Sequence, residues 1–305
     1  NFAITTKGRH WYNGGENERF HYHRWTADEG WIWGSWRGTL MGVALALDTK
    51  SDLEKLDYSK FALTAEDKAA HLAQLDALIA FFYLRGLDYF GGMPIFESLE
   101  GESLPRNTDQ ELFAHIEKLL KSAIESLPAK KTSDSEEGSI RKAAAAAMLA
   151  QLYFNAESYI NKPMYAESKV IAEAIINNEY GDYSLDNVWN GVHGFYNNTS
   201  TEIIWSMPSE FKLLEYSWFY ADFYHYNTRQ YFVQDMGANN GAHLTPSRKP
   251  DGTLYSTDFK LGSPYETFAT GDYRKMPYKY LGSGRYEGMF IVGPHLTPAG
   301  QAITG

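Results

Sequence analysis

The chain contains no cysteine among its 305 residues, which excludes thiol catalysis, disulfide bonds and cysteine-ligated zinc within it. It also lacks any apolar run approaching the roughly 20 residues that a membrane-spanning helix needs. Basic residues are outnumbered, with 28 Lys and Arg against 38 Asp and Glu and a net charge of -10. Because binding to nucleic-acid phosphates requires clustered Lys and Arg, no nucleic-acid partner is predicted.

Motifs for cofactors are missing as well. No G-x-G-x-x-G, G-x-x-x-x-G-K-[ST] or G-x-S-x-G pattern occurs, so nucleotide binding and serine hydrolysis have no support. His21 and His23 could be read as two metal ligands, but no third ligand stands at a defined spacing, and solvated loop histidines are the simpler interpretation. We therefore predict no cofactor and no metal site.

Aromatic residues are abundant, at 15% of the chain with 8 Trp and 22 Tyr. Trp and Tyr combine a large apolar face with a polar edge, so they pack in cores and also form binding surfaces. Sugars match this chemistry, because their C–H faces stack on rings while their hydroxyls need polar partners. The composition is compatible with a neutral carbohydrate ligand.

Hydrophobic periodicity predicts a mainly α fold with little β structure. A loop-like segment covers residues 1–34, and a helix follows at about 35–49. Four further helices are expected at about 64–90, 108–127, 139–159 and 163–178. Thr64 and the T-x-x-E pair of Thr108 and Glu111 are the expected caps. These helices make pairs of tetratricopeptide-like size within scaffold residues 35–178, and residues 180–305 form a loop-rich irregular lobe with a short strand at Ile203–Ser206.

Five blocks, in order, resemble the SusD/RagB family of nutrient-binding outer-membrane lipoproteins. The helix ending in a glycine turn and Pro94 is the first, and the segment from Leu104 to Pro128 is the second. The others are the alanine-rich AAAAAMLAQLYFN from Ala143, the stretch from Tyr165 through TEIIW at Thr201, and FATGDYRK from Phe268. One departure is Ile79, where the family usually has arginine.

The resemblance implies a single SusD-like domain over residues 1–305 and no catalysis. It implies a glycan ligand and a SusC-like TonB-dependent transporter as partner. The implied location is the outer membrane at the cell surface, with membrane attachment only through a lipid anchor upstream of Asn1. The family's C-terminal helices are missing after the Asp-x-Arg turn, so we expect the chain to be incomplete at both ends.

Two aromatic clusters are the candidate ligand sites. The first is glycine-rich and contains five Trp within residues 9–36. Trp31 and Trp33 alternate there, so in an extended segment only one could face inward, whereas Trp36 is assigned to packing. The second follows the short strand, in a region that contacts ligand in family members. The candidate ligand-binding residues are Trp11, Tyr12, Asp28, Trp31, Trp33, Trp218, Tyr220 and Arg248.

Two alternatives stay open at this point. A glycoside hydrolase on a helical scaffold would also combine helices with aromatic loops, but it needs two carboxylates at a set separation, one with a raised pKa. No such pair stands out, because Asp28 and Glu29 are adjacent and would point apart. A peptide-binding RagB-like member is the second alternative.

Overall fold

The structure is a computed structural model that describes residues 16–21, 23–100, 104–132, 134, 138–187, 192, 197–208, 279–282 and 285–287. The chain divides into two compact units. One comprises Gly30–Val192 and Tyr196–Pro208, and the other comprises Asn1–Glu29, His193–Phe195 and Ser209–Gly305. The prediction of a single domain over residues 1–305 concerns the whole chain and stays a prediction.

The described residues are mainly helical, as predicted. The helices are α1 (Glu16–His21), α2 (Gly30–Lys55), α3 (Ala65–Phe90), α4 (Asp109–Ser126), α5 (Lys142–Phe154), α6 (Ala156–Ile160) and α7 (Tyr165–Ile176). Short 3-10 turns occur at Tyr58–Phe61 and Asn197–Thr199. The strands of the described part are β1 (Lys279–Gly282) and β2 (Arg285–Glu287), which pair antiparallel.

Two capping boxes start the central helices α3 and α4, both at the residues that the sequence predicts. Thr64 caps α3 by accepting the Asp67 amide at 3.1 Å, while the Asp67 carboxylate accepts the Thr64 amide at 2.7 Å. Thr108 and Glu111 repeat the arrangement at the start of α4. Each box satisfies two amides that the first helical turn leaves without intrahelical partners.

Successive helices run antiparallel, because the end of each one contacts the start of the next. Lys50 near the end of α2 pairs with Asp76 in the first half of α3 at 2.5 Å. Asp109 at the start of α4 accepts the Gly92 amide just after α3 at 2.6 Å. The Ser168 hydroxyl of α7 donates to the Ala150 carbonyl of α5 at 2.8 Å. The helices of this unit therefore form an up-and-down array, in agreement with the predicted helical pairs.

The core of the array consists of aliphatic and alanine side chains from α2 to α5. Ile116 and Leu152, which the sequence places in the core, are fully buried. Tyr83 is buried as well, and its hydroxyl accepts the Phe96 amide at 2.8 Å and donates to the Pro94 carbonyl at 3.2 Å. The phenol therefore enters the core without leaving a polar atom unsatisfied.

Helix α2 is longer than predicted. It begins at Gly30 and ends at Lys55, so the predicted loop is wrong for residues 30–34, and α1 is a further helix inside that predicted loop. Gly34 and Gly38 lie on the outer side of α2, where a methyl group added at either Cα would have no atom within 4 Å. Their cost of about 1 kcal/mol each is opposed by burial of apolar residues, among them Val43 and Leu47, farther along the helix.

Two other element boundaries differ from the prediction. The expected helix at 139–159 is split into α5 and α6 at Asn155, whose backbone amide and side-chain amide both donate to the Gln151 carbonyl at 3.1 Å. The expected strand at Ile203–Ser206 is wrong, because these residues are described and form no strand. Trp205 instead donates its indole N–H to the Gly138 carbonyl at 3.0 Å and packs edge-on against Phe81.

Candidate functional site

Two exposed indoles lie in the first turn of α2. Trp31 is 55% exposed and Trp33 is 61% exposed. Because residues two apart on a helix differ by about 200° in direction, the two rings leave the helix on nearly opposite sides. The prediction that at least one faces outward is confirmed, but they do not form one flat platform.

Trp36 differs from its two neighbours. It packs against the core, and its ring meets Phe90 of α3 edge-on at a centroid distance of 5.3 Å. The predicted packing role of Trp36 is therefore confirmed. This contact fixes the start of α2 against the end of α3, so the backbone that carries Trp31 and Trp33 is held by the core.

Asp28 and Glu29 belong to the other unit, whose first segment ends at Glu29. Asp28 is exposed in a turn, whereas Glu29 is buried. The Arg19 guanidinium of α1 donates from Nε and Nη2 to the two carboxylate oxygens of Glu29. These hydrogen bonds from Arg19 hold the pKa of Glu29 below its ordinary value, against the opposing effect of burial. Of the two acidic residues, Asp28 is thus the one that is open to solvent.

A second aromatic group in that unit surrounds Trp25. The Trp25 ring is 5.8 Å from Phe20 in a stacked arrangement and 5.1 Å from His23. It is nevertheless exposed. Sequence reasoning placed Trp25 in the aromatic cluster but not among the ligand residues, and it missed Phe20. The sequence signal for the pair of Phe20 and Trp25 is that the two rings stand five residues apart, one on each side of the turn that follows α1.

Five of the predicted ligand residues lie outside the described residues. They are Trp11, Tyr12, Trp218, Tyr220 and Arg248. Of the candidates, the structure therefore describes Asp28, Trp31 and Trp33. That any of the eight contacts a ligand stays a prediction.

The carboxyl groups whose pKa departs from its ordinary value have structural roles. Within the described ranges, the pKa is lowered for Glu29, Asp67, Glu111 and Glu117. For the first three, the largest cause is a hydrogen bond from Arg19 or from a helix-capping threonine. Burial is the largest single influence on the pKa of Glu117 and raises it. The hydrogen bonds from Lys121 and Tyr153, both at 2.6 Å, together with the charges of Lys121 and Lys162, nevertheless lower this pKa overall.

No three His, Asp or Glu side chains in the described part of the chain are grouped so that they could hold a metal ion. Among the same residues, no helix combines the length and apolarity that crossing a bilayer requires.

Comparison with solved structures identifies the fold. Surface glycan-binding protein A from Bacteroides uniformis superposes with a TM-score of 0.62 at 17% identity, over 94% of this chain and 58% of that protein. A SusD superfamily protein from Parabacteroides distasonis gives 0.59 at 17% identity, over 90% and 57%. A laminarin-binding SusD-like protein gives 0.51 at 16% identity, over 62% and 40%.

These matches rest on structure. No model of a protein family matches the chain, and no curated protein sequence matches it. The chain spans about 58% or less of the length of these three structures. The first three sequence blocks nevertheless fall in order on α3, α4 and α5, and the fold prediction is confirmed: the chain has the SusD-like fold.

Proposed function

We propose that this protein binds a neutral oligosaccharide or polysaccharide at the cell surface without cleaving it. In this proposal a lipid anchor upstream of Asn1 holds it at the outer membrane, and it passes the glycan to a SusC-like TonB-dependent transporter. The observation that carries the proposal is the pair of exposed indoles, Trp31 and Trp33, on the first turn of a core-anchored helix of a SusD-like fold.

An exposed indole offers a ligand a large apolar face together with one N–H donor. A sugar ring offers the matching surface, with C–H groups for the indole face and hydroxyls that stay hydrated or meet polar groups. Since α2 is fixed by the contact of Trp36 with Phe90, the two indoles are presented on ordered backbone. Pre-ordering lowers the entropy cost of binding.

The acidic character of the chain favours an uncharged glycan. The net charge is -10, and Asp28 is exposed three residues before Trp31 in sequence. A uronic acid or sulfated glycan would be repelled by such a surface, whereas hydroxyl groups can donate to carboxylates. Asp28 is therefore proposed to accept hydrogen bonds from the ligand, and Trp11, Tyr12, Trp218, Tyr220 and Arg248 are proposed as further contacts.

A hydrolase would place a specific demand on its carboxyl groups. A glycosidase needs an acid whose pKa is raised toward neutrality. Among the described residues, the carboxyl groups with a shifted pKa all have it lowered, through helix capping or ion pairing. Two proteins of this fold are named for binding, one for surface glycans and one for laminarin, and glycan binding is the function that we carry over to this chain.

The test is affinity gel electrophoresis and titration calorimetry against a panel of neutral and acidic polysaccharides, with chromatography of the products. We expect retardation by at least one neutral glycan and no shorter sugars in solution. Release of oligosaccharides would identify a hydrolase. Binding to peptides with no response to any glycan would identify a peptide-binding protein of this fold.

Delivery to a transporter needs a separate test. The tagged protein would be isolated from detergent-solubilised outer membranes of its natural host, and co-purifying proteins would be identified by mass spectrometry. We expect a TonB-dependent barrel in stoichiometric amount. Glycan binding without such a partner would leave the binding proposal standing and remove the delivery step.

A further inference from the structure

In the unit that comprises Gly30–Val192 and Tyr196–Pro208, the exposed aromatic side chains are unevenly distributed. The described ones are Trp31, Trp33, Phe61, Tyr89, Phe154 and Tyr165. Phe61 lies in the connection between α2 and α3. The other five lie at helix starts or helix ends, so the direction of each helix decides where they come together.

Contacts between helices place those five at one end of the array. Trp36 at the start of α2 touches Phe90 at the end of α3. Phe113 near the start of α4 faces Tyr153 near the end of α5, with centroids 6.5 Å apart. Because α4 also starts beside the end of α3, all of these termini share one end, whereas the connection that contains Phe61 lies at the other.

Phe154 and Tyr165 form an ordered pair at this end. Their ring centroids are 5.7 Å apart and their planes meet at 71°. The Tyr165 hydroxyl donates to the Glu157 carboxylate at 2.5 Å, which fixes the phenol ring. Phe154 is 60% exposed and Tyr165 is 49% exposed. Two rings and an acceptor carboxylate are therefore held together in water.

A second tyrosine–carboxylate pair joins α6 to the end of α3. The Tyr159 hydroxyl of α6 donates to Asp88 at 3.0 Å, and this ties α6 to the end of α3. Burial, and then the bond to Asp88, raise the pKa of Tyr159, so the phenol stays protonated and keeps donating. The neighbouring Tyr89 is exposed. This end of the array therefore carries aromatic faces beside carboxylate acceptors at two places.

We propose that Phe154, Tyr165 and Glu157 form a second carbohydrate subsite, separate from Trp31 and Trp33, that binds a sugar residue of the same glycan chain. This inference rests on the proposed function and adds the ligand class, which is a long neutral polysaccharide. The rings stack against C–H faces, and the carboxylate of Glu157 accepts hydrogen bonds from sugar hydroxyls while it disfavours anionic sugars.

The length requirement follows from the array. The start of α2 and the junction of α5 with α7 are separated by helices α3 and α4, and neighbouring helix axes lie about 8–10 Å apart. A short oligosaccharide can occupy one subsite, whereas only a longer chain can occupy both. Two weak contacts on one ligand then raise the apparent affinity through effective concentration.

The test compares long and short ligands. The double variant Phe154→Ala/Tyr165→Ala is expected to bind the responsive polysaccharide at least about 25-fold more weakly, if each ring contributes roughly fivefold, the low end for stacking sites. Binding of a short oligosaccharide that the parent retains at Trp31 and Trp33 should change less than about twofold. Phe61→Ala is the matched control, because Phe61 is equally exposed at the opposite end.

Each outcome decides something. If the parent binds polysaccharide and the double variant binds it equally well, the second subsite is wrong and the proposed function stands. If Phe61→Ala weakens binding as much as the double variant does, the effect is not specific to this end and the subsite is again wrong. If the parent binds no polysaccharide at all, the proposed function fails and this inference fails with it.

A milder variant separates loss of binding from loss of folding. Tyr165→Phe keeps the ring but removes the hydrogen bond to Glu157, so it should melt close to the parent and bind polysaccharide more weakly than the parent. Parent-like binding by Tyr165→Phe together with parent-like binding by Glu157→Gln would remove Glu157 from the subsite and overturn the proposal as stated.

Discussion

The rings of Trp36 and Phe90 meet edge-on, with their centroids 5.3 Å apart and their planes at 82°. This contact joins the start of α2 to the end of α3. It separates two kinds of tryptophan within six residues of one helix, because Trp36 packs on the core while Trp31 and Trp33 stay exposed. The same residue type therefore stabilises the fold at one position and is free to bind at the others.

The first prediction uses this contrast. Trp36→Ala should lower the free energy of unfolding by about 2–3 kcal/mol, because it removes a ring that fills space against the core. Trp33→Ala should change it by less than about 0.5 kcal/mol, since the ring is mostly in solvent. Urea unfolding followed by circular dichroism measures both.

Glycan binding should respond in the opposite way. Trp31→Ala and Trp33→Ala should each cost roughly 1–3 kcal/mol of binding free energy, if stacking on sugar resembles base–aromatic stacking. Parent-like binding by both variants would place the site elsewhere. An early melting transition in either one would show that its ring belongs to the core.

The second prediction concerns the close approach of the turn after α3 to the start of α4. A methyl group added at Gly92 would overlap the backbone of Asn107 and Thr108. Gly92→Ala should therefore destabilise the protein by about 1–3 kcal/mol. Gly38→Ala is the matched control, because that position is open, and it should stabilise by roughly 0.5–1 kcal/mol. Equal melting temperatures for the two variants would contradict the packing described for this turn.

Local signals account for the parts of the fold that the sequence predicted correctly. The two capping boxes, at Thr64 and at Thr108, use residues three apart, and periodicity then carries α3 and α4 to their ends. The start of α2 was missed because Gly30 and Gly34 have loop propensity, and packing contacts that are remote in sequence override it. The strand predicted at Ile203–Ser206 fails because a strand needs a pairing partner, which its own composition does not specify.

The candidate site was predictable only where exposure could be inferred from spacing. In an extended segment, Trp31 and Trp33 could not both face inward. The segment is helical, but a spacing of two residues separates side chains on a helix as well, and both rings are exposed. Phe154 and Tyr165 were missed because each adjoins an apolar helical run, where periodicity favours a core position. Their exposure depends on what packs beyond the ends of α5 and α7, and that information is not local.

The third prediction follows from the capping box of α4. The amide and hydroxyl of Thr108 hold the pKa of Glu111 below its ordinary value. A lowered folded-state pKa stabilises the protein above the unfolded-state value near 4.3, and this contribution is lost as the pH falls through the folded-state pKa. Glu111→Gln should therefore lose less stability than the parent between pH 6 and roughly pH 3. The measurement is the urea midpoint across that range, and a parallel loss in both proteins would contradict it.

The fourth prediction concerns His115, which lies edge-on to Tyr83 at a centroid distance of 5.5 Å. Its Nε2 is buried and has no hydrogen-bond partner among the described residues. Burial is the main cause that lowers the pKa of His115; Lys118 lowers it further, while Glu97 and Asp76 oppose the shift. The unfolded chain, with a histidine pKa near 6.5, therefore takes up a proton at a higher pH than the folded chain does.

This difference makes the protein less stable in mild acid. As the pH falls below about 6.5, the unfolded state binds more protons than the native state, so the free energy of unfolding decreases until the pH passes the folded-state pKa. His115→Phe keeps a ring against Tyr83 and cannot titrate, so it should lose less stability than the parent between pH 7.5 and roughly pH 5.5. Lys118→Gln removes a positive charge that repels protonated His115, so the folded-state pKa of His115 should move toward 6.5. This variant should therefore also lose less stability than the parent over the same pH range. Urea unfolding at the two pH values measures all three proteins, and equal losses in parent and His115→Phe would show that His115 is solvated in the native state.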